Sequence, residues 1–247
     1  MANYHNAVSD KLVVSFFTEH VIYNVYSKEN GQKWTAICSI SDSFPKELES
    51  SIFSTTHFIV SLTNFTLLPS AEEAEIASYR LNFTLETQLR TELTEEVAVV
   101  YEISKSAEAV SKQLVNATIE SDITLALGNF RKKKSANAIY FYEANNSLTV
   151  IAVKMGEIQL ANRYVVDTMD ELFYYVMLVV EQLDLPIDGL YLECISTKGR
   201  HEEYQALFKN YLPNLNLTLI HWEINSDSYQ EFKDLQVLAA FFSQCVL

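Results

Sequence analysis

The sequence predicts an α/β protein of two lobes, each a mixed sheet flanked by helices, with a small α/β insertion in the first. Three observations carry this. Residues 12–61 read as strand, tight turn, strand, strand, helix, strand, in the segments LVVSFF, HVIYNVY and WTAICSI, a helix from Ser43, and HFIVSL. Residues 138–195 repeat that order as AIYFYE, SLTVIAVK, EIQLANRYVV, a helix from Thr168, and GLYLECI. Residues 82–134 have no counterpart in the second half, so lobes are expected at 1–135 and 136–247, with the insertion at about 82–134.

The first three strands are called by β-branched and aromatic runs separated by turn residues. Ser43 can cap the following helix, and Pro45 suits its first turn, where a missing N–H costs nothing. That helix is expected to reach about Ser54 and to return into the apolar strand Phe58-Ile59-Val60. Pro69-Ser70 then opens an acidic helix over 71–81. The insertion is read as a strand over 97–103, a helix over 106–116 and a third segment over 121–134.

In the second lobe, Thr168-Met169-Asp170-Glu171 is a capping box, in which the Thr hydroxyl and the Glu carboxylate satisfy backbone donors reciprocally. The helix behind it holds the nine-residue apolar run from Leu172 to Val180, too wide for one wet face, so it is expected to be buried on nearly all sides. A strand at 189–195, a helix at 200–211 and a strand at 216–222 continue the alternation. Residues 229–247 end in an apolar helix that should dock the C-terminus.

A meander of three strands, duplicated and followed by alternating helices and strands, is the plan of two-lobed nucleotide-binding clamps. There, the turn after each first strand converges backbone N–H groups on phosphate, which needs glycine and an acid nearby. The corresponding turns here are Thr18-Glu19-His20 and Ala144-Asn145-Asn146. The chain has five glycines, of which the nearest two, Gly189 and Gly199, lie ten residues apart. No GxG, no GxxxxGK[ST] and no Asp-X-Gly occurs. Glu19 and Glu143 are the acids at the two hairpins and read as solvated turn carboxylates.

Other chemistries are equally unsupported. His5, His20, His57, His201 and His221 are scattered without HExxH spacing, and no Gly-X-Ser-X-Gly elbow exists. Cys38, Cys194 and Cys245 form no CxxC pair, and the first two lie in apolar strands as small hydrophobes. No catalytic, cofactor-binding or metal-ligating residue is therefore assigned, and no cofactor is expected. A net charge of −14 disfavours nonspecific binding to nucleic acid or anionic membrane. The run Arg131-Lys132-Lys133-Lys134 reads as a cationic last turn of a helix, set favourably against the dipole. Tyr140, Phe141, Tyr142, Tyr164, Phe173, Tyr174 and Tyr175 read as core, with an interface as the competing reading.

The residues at this point carry a resemblance. The block LANRYVVDTMDELFYYVMLVVEQLDL, then GLYLECIS and HEEYQALFKNYLPNLNL, resembles a bacterial family of unassigned function with the fold of the actin-like ATPases. The resemblance covers residues 136–247 and, more loosely, the first lobe. That family is similar in architecture to the actin-like assembly proteins of type IV pili and type II secretion, two RNase H-like lobes around a cleft. The superfamily's phosphate motifs would fall at Phe17-Thr18-Glu19-His20 and Glu143-Ala144-Asn145-Asn146, and its adenosine-approach glycines at Cys194–Gly199, and all three depart from the pattern. The resemblance thus implies a degenerate actin-like fold. The longest uncharged apolar run, Leu172 to Val180, falls short of the ~20 residues that span a bilayer, and the unpaired cysteines suit a reduced compartment, so no membrane insertion is expected and a cytoplasmic place is. The first reading is a noncatalytic, cytoplasmic, actin-like scaffold working through a protein partner, with a homo-oligomer compatible. The alternative is a nucleotide-binding sensor or ATPase with an atypical inter-lobe site, and a third reading is an RNA-associated factor using Arg131–Lys134.

Overall fold

A computed structural model describes residues 9–49, 51–69, 89–131, 133, 135–211, 217–220 and 232–247. By compactness the chain divides into Met1–Ala126 together with Phe242–Leu247, and Leu127–Phe241.

In the first unit, β1 (Lys11–Phe17) pairs antiparallel with β2 (His20–Tyr26), and β2 with β3 (Gln32–Ser39). β1 also pairs in parallel with β4 (Thr55–Val60), and β4 with β8 (Ala117–Ser121), giving the order β3-β2-β1-β4-β8. Leu12 to Phe17 are buried without alternation, as a strand covered on both faces requires. A separate antiparallel sheet, β5-β7-β6, is made of Phe65–Leu68, Ala98–Glu102 and Leu89–Leu93. Helix α1 (Lys105–Ser111), capped by the Ser104 hydroxyl, connects it to β8, and α2 (Asp122–Arg131) follows.

In the second unit, β9 (Asn137–Ala144), β10 (Ser147–Lys154) and β11 (Glu157–Val165) form the meander. Then come α3 (Met169–Gln182), β12 (Tyr191–Ile195), α4 (Lys198–Tyr211), β13 (Leu217–Ile220) and α5 (Lys233–Val246), of which the residues from Phe242 onward fall in the first unit. The order β11-β10-β9-β12-β13 repeats that of the first sheet strand for strand. The expected duplication is present in the backbone pairing itself.

Four expectations need comment. The helix from Ser43 is replaced by turns: Leu48, Glu49 and Ser51 donate to the carbonyls three residues back, at Pro45, Lys46 and Leu48. Among the described residues Pro45 and Leu48 are buried and Phe44 packs edge-on to Tyr23 at 5.5 Å, contacts that turns make as well as a helix would, while Ile52 is largely exposed. Residues 82–134 do have a partial counterpart, because β8 joins the main sheet as β13 does in the second copy, leaving β6, β7 and α1 as the added part, with β5 supplied from before residue 82. Helix α3 does not bury all its sides: Leu172, Val176, Val179 and Val180 are buried, but Tyr174 is 57% exposed. The acidic helix at 71–81 lies outside the described residues.

Local chemistry ends α3 cleanly. The Thr168–Glu171 capping box is formed as expected. At the other end Asp184 takes a left-handed φ of 48°, and the Asp184 and Leu185 amides donate to Glu181 and Val180. Lys154 adds its ammonium to the Leu183 carbonyl at 2.6 Å, a cation at the negative end of the helix. Beneath α3 and α4 the core gathers Ile139, Phe141, Val150, Leu192, Cys194 and Phe208. The C-terminus is docked, since the Leu247 carbonyl accepts from Lys11 and Asn30.

Candidate functional site

The two hairpin turns sit at the carboxyl ends of the parallel strands, where open α/β sheets usually place ligands. In the first, Phe16 and Phe17 are buried, with Phe16 packed at 6.1 Å on Phe58, while Thr18 and Glu19 are exposed. The Glu19 carbonyl accepts the Ile40 amide at 3.1 Å. In the second, Asn145 adopts φ of 54°, which Asn tolerates and the tight turn needs. Asn146 is already engaged: its carbonyl accepts the Val166 amide at 2.9 Å, and its amide donates to Asp167 at 2.9 Å. Further on, Cys194 is buried in β12, Ser196 donates to the Thr197 carbonyl, and Thr197 donates to Asp234 at 2.9 Å.

Glu143, at the end of β9, departs from the solvated turn carboxylate expected. Arg200, in the first turn of α4, donates to it through Nε at 3.3 Å and Nη2 at 3.1 Å, and the Tyr204 hydroxyl donates to the same Oε2. The remaining Nη1 of Arg200 donates to Glu203 at 2.8 Å. The Tyr204 ring is fully buried, edge-on to Phe141 at 5.4 Å, with the guanidinium 5.5 Å from its centroid. Burial, and then the Glu143 carboxylate beside it, push the Tyr204 hydroxyl above its ordinary range, so it stays a donor. The spacing Arg200, Glu203, Tyr204 puts all three on one helical face, a signal legible in sequence. Their convergence on β9 was not, because a strand–helix contact leaves no periodic trace.

A second polar cluster takes up Lys133, the member of the basic run whose side chain lies among the described residues. Lys133 reaches over the rings of Phe130 and Tyr140, at 5.6 and 5.9 Å, to pair with Glu193, which is 2% exposed in the middle of β12. Glu193 Oε2 is buried with no hydrogen-bond partner. In the first unit, Glu92 of β6 accepts from the Ser121 amide and hydroxyl at 3.1 and 3.0 Å and from the Tyr101 hydroxyl, tying the added sheet to β8. Asp122 accepts from the Leu62 amide and the Ser61 hydroxyl.

The histidines are separate. His57 pairs with Glu120 at 2.9 Å and His201 with the Leu217 carbonyl at 3.2 Å, while His5 and His221 lie outside the described residues. Among the described residues no three His, Cys, Asp or Glu side chains group to hold a metal ion, and no helix is long and apolar enough to cross a membrane. The aromatic cluster is mixed. Tyr140, Phe141 and Tyr142 are core, whereas Tyr164 and Tyr175 stack at 4.4 Å half-buried beside the exposed Tyr174.

No curated protein matches this sequence. Among solved structures, the chain is similar to a Bacteroides thetaiotaomicron VPI-5482 protein with actin-like ATPase fold and unknown function. The two share 16% identity and a TM-score of 0.74, over 98% of this chain and 99% of that one. It is also similar to a chain of the PilM–PilN type IV pilus biogenesis complex, at 10% identity and TM-score 0.54, over 96% and 98%. The ethanolamine utilization protein EutJ from Carboxydothermus hydrogenoformans gives 9% and 0.50, over 95% and 89%. At these identities the likeness establishes the fold alone, an actin-like ATPase fold that agrees with the two repeated sheets. The sequence profile described as "Protein of unknown function (DUF3822)" matches residues 8–215, and the chain belongs to that family.

Proposed function

We propose that this protein is a noncatalytic, cytoplasmic actin-like scaffold that works through a protein partner and binds no nucleotide. The observation that carries this is the filled carboxyl edge of the second sheet: the donors of Arg200 and Tyr204 that could face a phosphate are spent on Glu143. The first hairpin supports the same reading, since it exposes Glu19 where an anion would approach and buries Phe16 and Phe17 behind it. Neither turn carries the glycine that would let backbone donors converge. A working partnership is what the name of the pilus biogenesis complex says of its own PilM chain, and that likeness lends support to a protein partner here.

The test is a thermal scan of the full chain in magnesium and ATP. A site with a dissociation constant of about 10 μM, at roughly 1 mM Mg-ATP, would add RT ln(1 + 100), about 2.7 kcal/mol. For a chain of this length that is a rise of roughly 5–10 °C. A flat response, against magnesium alone and a nonhydrolysable analogue as controls, is expected. A saturable rise of that size, removed by changing Thr18, Asn145 or Ser147, overturns the scaffold and makes the chain a nucleotide sensor or ATPase.

A further inference from the structure

We propose that the carboxyl end of β9 is an oxyanion site whose ligand is built into the chain, the Glu143 carboxylate standing where a small phosphate or carboxylate would otherwise bind. The proposal rests on the noncatalytic reading and deepens it, by naming the group that occupies this edge of the sheet. Arg200 turns two nitrogens toward Glu143, with Nη2 at 3.1 and 3.4 Å from the two carboxylate oxygens and Nε at 3.3 Å. Tyr204 sends its hydroxyl to the same oxygen from a ring that is 1% exposed. These are the elements of an oxyanion receptor: a forked cation, a buried neutral donor held protonated, and a position just beyond the ends of two parallel strands.

The donors are fixed independently of the acid they hold. Tyr204 is set by its packing on Phe141, and Arg200 by Glu203, the Tyr204 ring and its place in the first turn of α4. Glu143 itself is the penultimate residue of β9, with its side chain 17% exposed. Its removal would therefore leave a guanidinium and a phenol aimed at one point, open to water on one side. The buried Tyr204 hydroxyl would lose its acceptor at the cost of its desolvation, and the Arg200 guanidinium its counter-charge, so the emptied site should take up an oxyanion of fitting size.

The test is chemical rescue of stability in the Glu143→Ala variant. Its melting temperature is followed against inorganic phosphate, and separately acetate, at constant ionic strength with chloride making up the balance. A saturable rise of several degrees with phosphate or acetate is expected in E143A, with a flat response in the wild type. The relative gain from the two anions tells whether the site favours a tetrahedral or a planar oxyanion. In E143A/R200M the rescue disappears. Should E143A fail to fold in chloride, refolding yield against phosphate gives the same readout, and Glu143→Ser supplies a milder deletion. Folded E143A or E143S with no response up to tens of millimolar phosphate or acetate, or no recovery on refolding in either anion, overturns the proposal. So does a rescue that survives loss of Arg200. Either failure leaves the scaffold reading standing, because that reading is decided by Mg-ATP on the wild type.

Discussion

Replacing Lys133 with Met removes the cation that faces Glu193 while keeping most of the aliphatic stem over Phe130 and Tyr140. Glu193 is 2% exposed, sits in a central strand between β9 and β13, and already has one oxygen without a partner. Taking one member from such a pair leaves a buried charge uncompensated, which costs about 3–5 kcal/mol. Loss of the ammonium above two rings adds roughly 0.5–1 kcal/mol. For a chain of this size the melting temperature should fall by about 10 °C. Urea denaturation of K133M, E193Q and K133M/E193Q closes a double-mutant cycle that separates the pair from its surroundings. Most of the K133M loss should return in the double variant, since a neutral amide no longer demands a cation. If K133M melts within a degree or two of wild type, water reaches Glu193 and the pair is a surface contact worth little.

Three further outcomes follow from particular residues. Val176→Asp places a carboxylate in the core under α3, where Val176 is 1% exposed, and should cost several kcal/mol, read by thermal melting; a variant within a degree of wild type would mean that the α3 face is wet. Burial pushes the Cys194 thiol from 9.0 to about 12, so the folded chain holds a proton that the unfolded chain releases. Stability from this group is intact below pH 9 and lost toward pH 12 at about 1.4 kcal/mol per pH unit, and C194A should flatten the urea-midpoint profile over that window. Met155 is 83% exposed at φ of 55° before Gly156, so Met155→Asn creates an Asn-Gly hairpin turn and should stabilise by roughly 0.5–1 kcal/mol in the same assay.

The architecture was legible because each copy of the sheet writes its central strand as an unbroken apolar run. LVVSFF and AIYFYE are buried along nearly their whole length, which only a two-sided sheet allows. Caps were legible too, since Thr168 and Glu171 act at a fixed sequence distance. The segment after Ser43 misled because a good cap and an N-terminal proline say where a helix can begin, not whether one follows; Phe44, Pro45 and Leu48 reach their contacts from turns instead. Strands β5, β6 and β8 escaped because their ladders pair across gaps such as Thr56↔Ala117, which leave no local period. The same holds for both polar clusters. Lys133 and Glu193 are 60 residues apart and Glu143 and Arg200 are 57 apart, so neither pair could be matched from spacing.

The repeated sheets also let one copy interpret the other. Phe17 opposite His20 corresponds to Ala144 opposite Ser147, which aligns Phe16 with Glu143. At that one position the first copy has an aromatic ring packed on Phe58 and the second a carboxylate gripped by an arginine and a tyrosine. Taken by itself, the first hairpin offers the acid Glu19 in front of a buried phenylalanine pair. Mutation at Glu143 alone would therefore open a receptor for small oxyanions in the second unit without giving the first hairpin donors for phosphate. Rescue of E143A by phosphate together with continued indifference to Mg-ATP is the combination this asymmetry requires. An E143A variant that gained tight, magnesium-dependent ATP binding would show that the first hairpin supplies donors that Phe16 and Glu19 argue against.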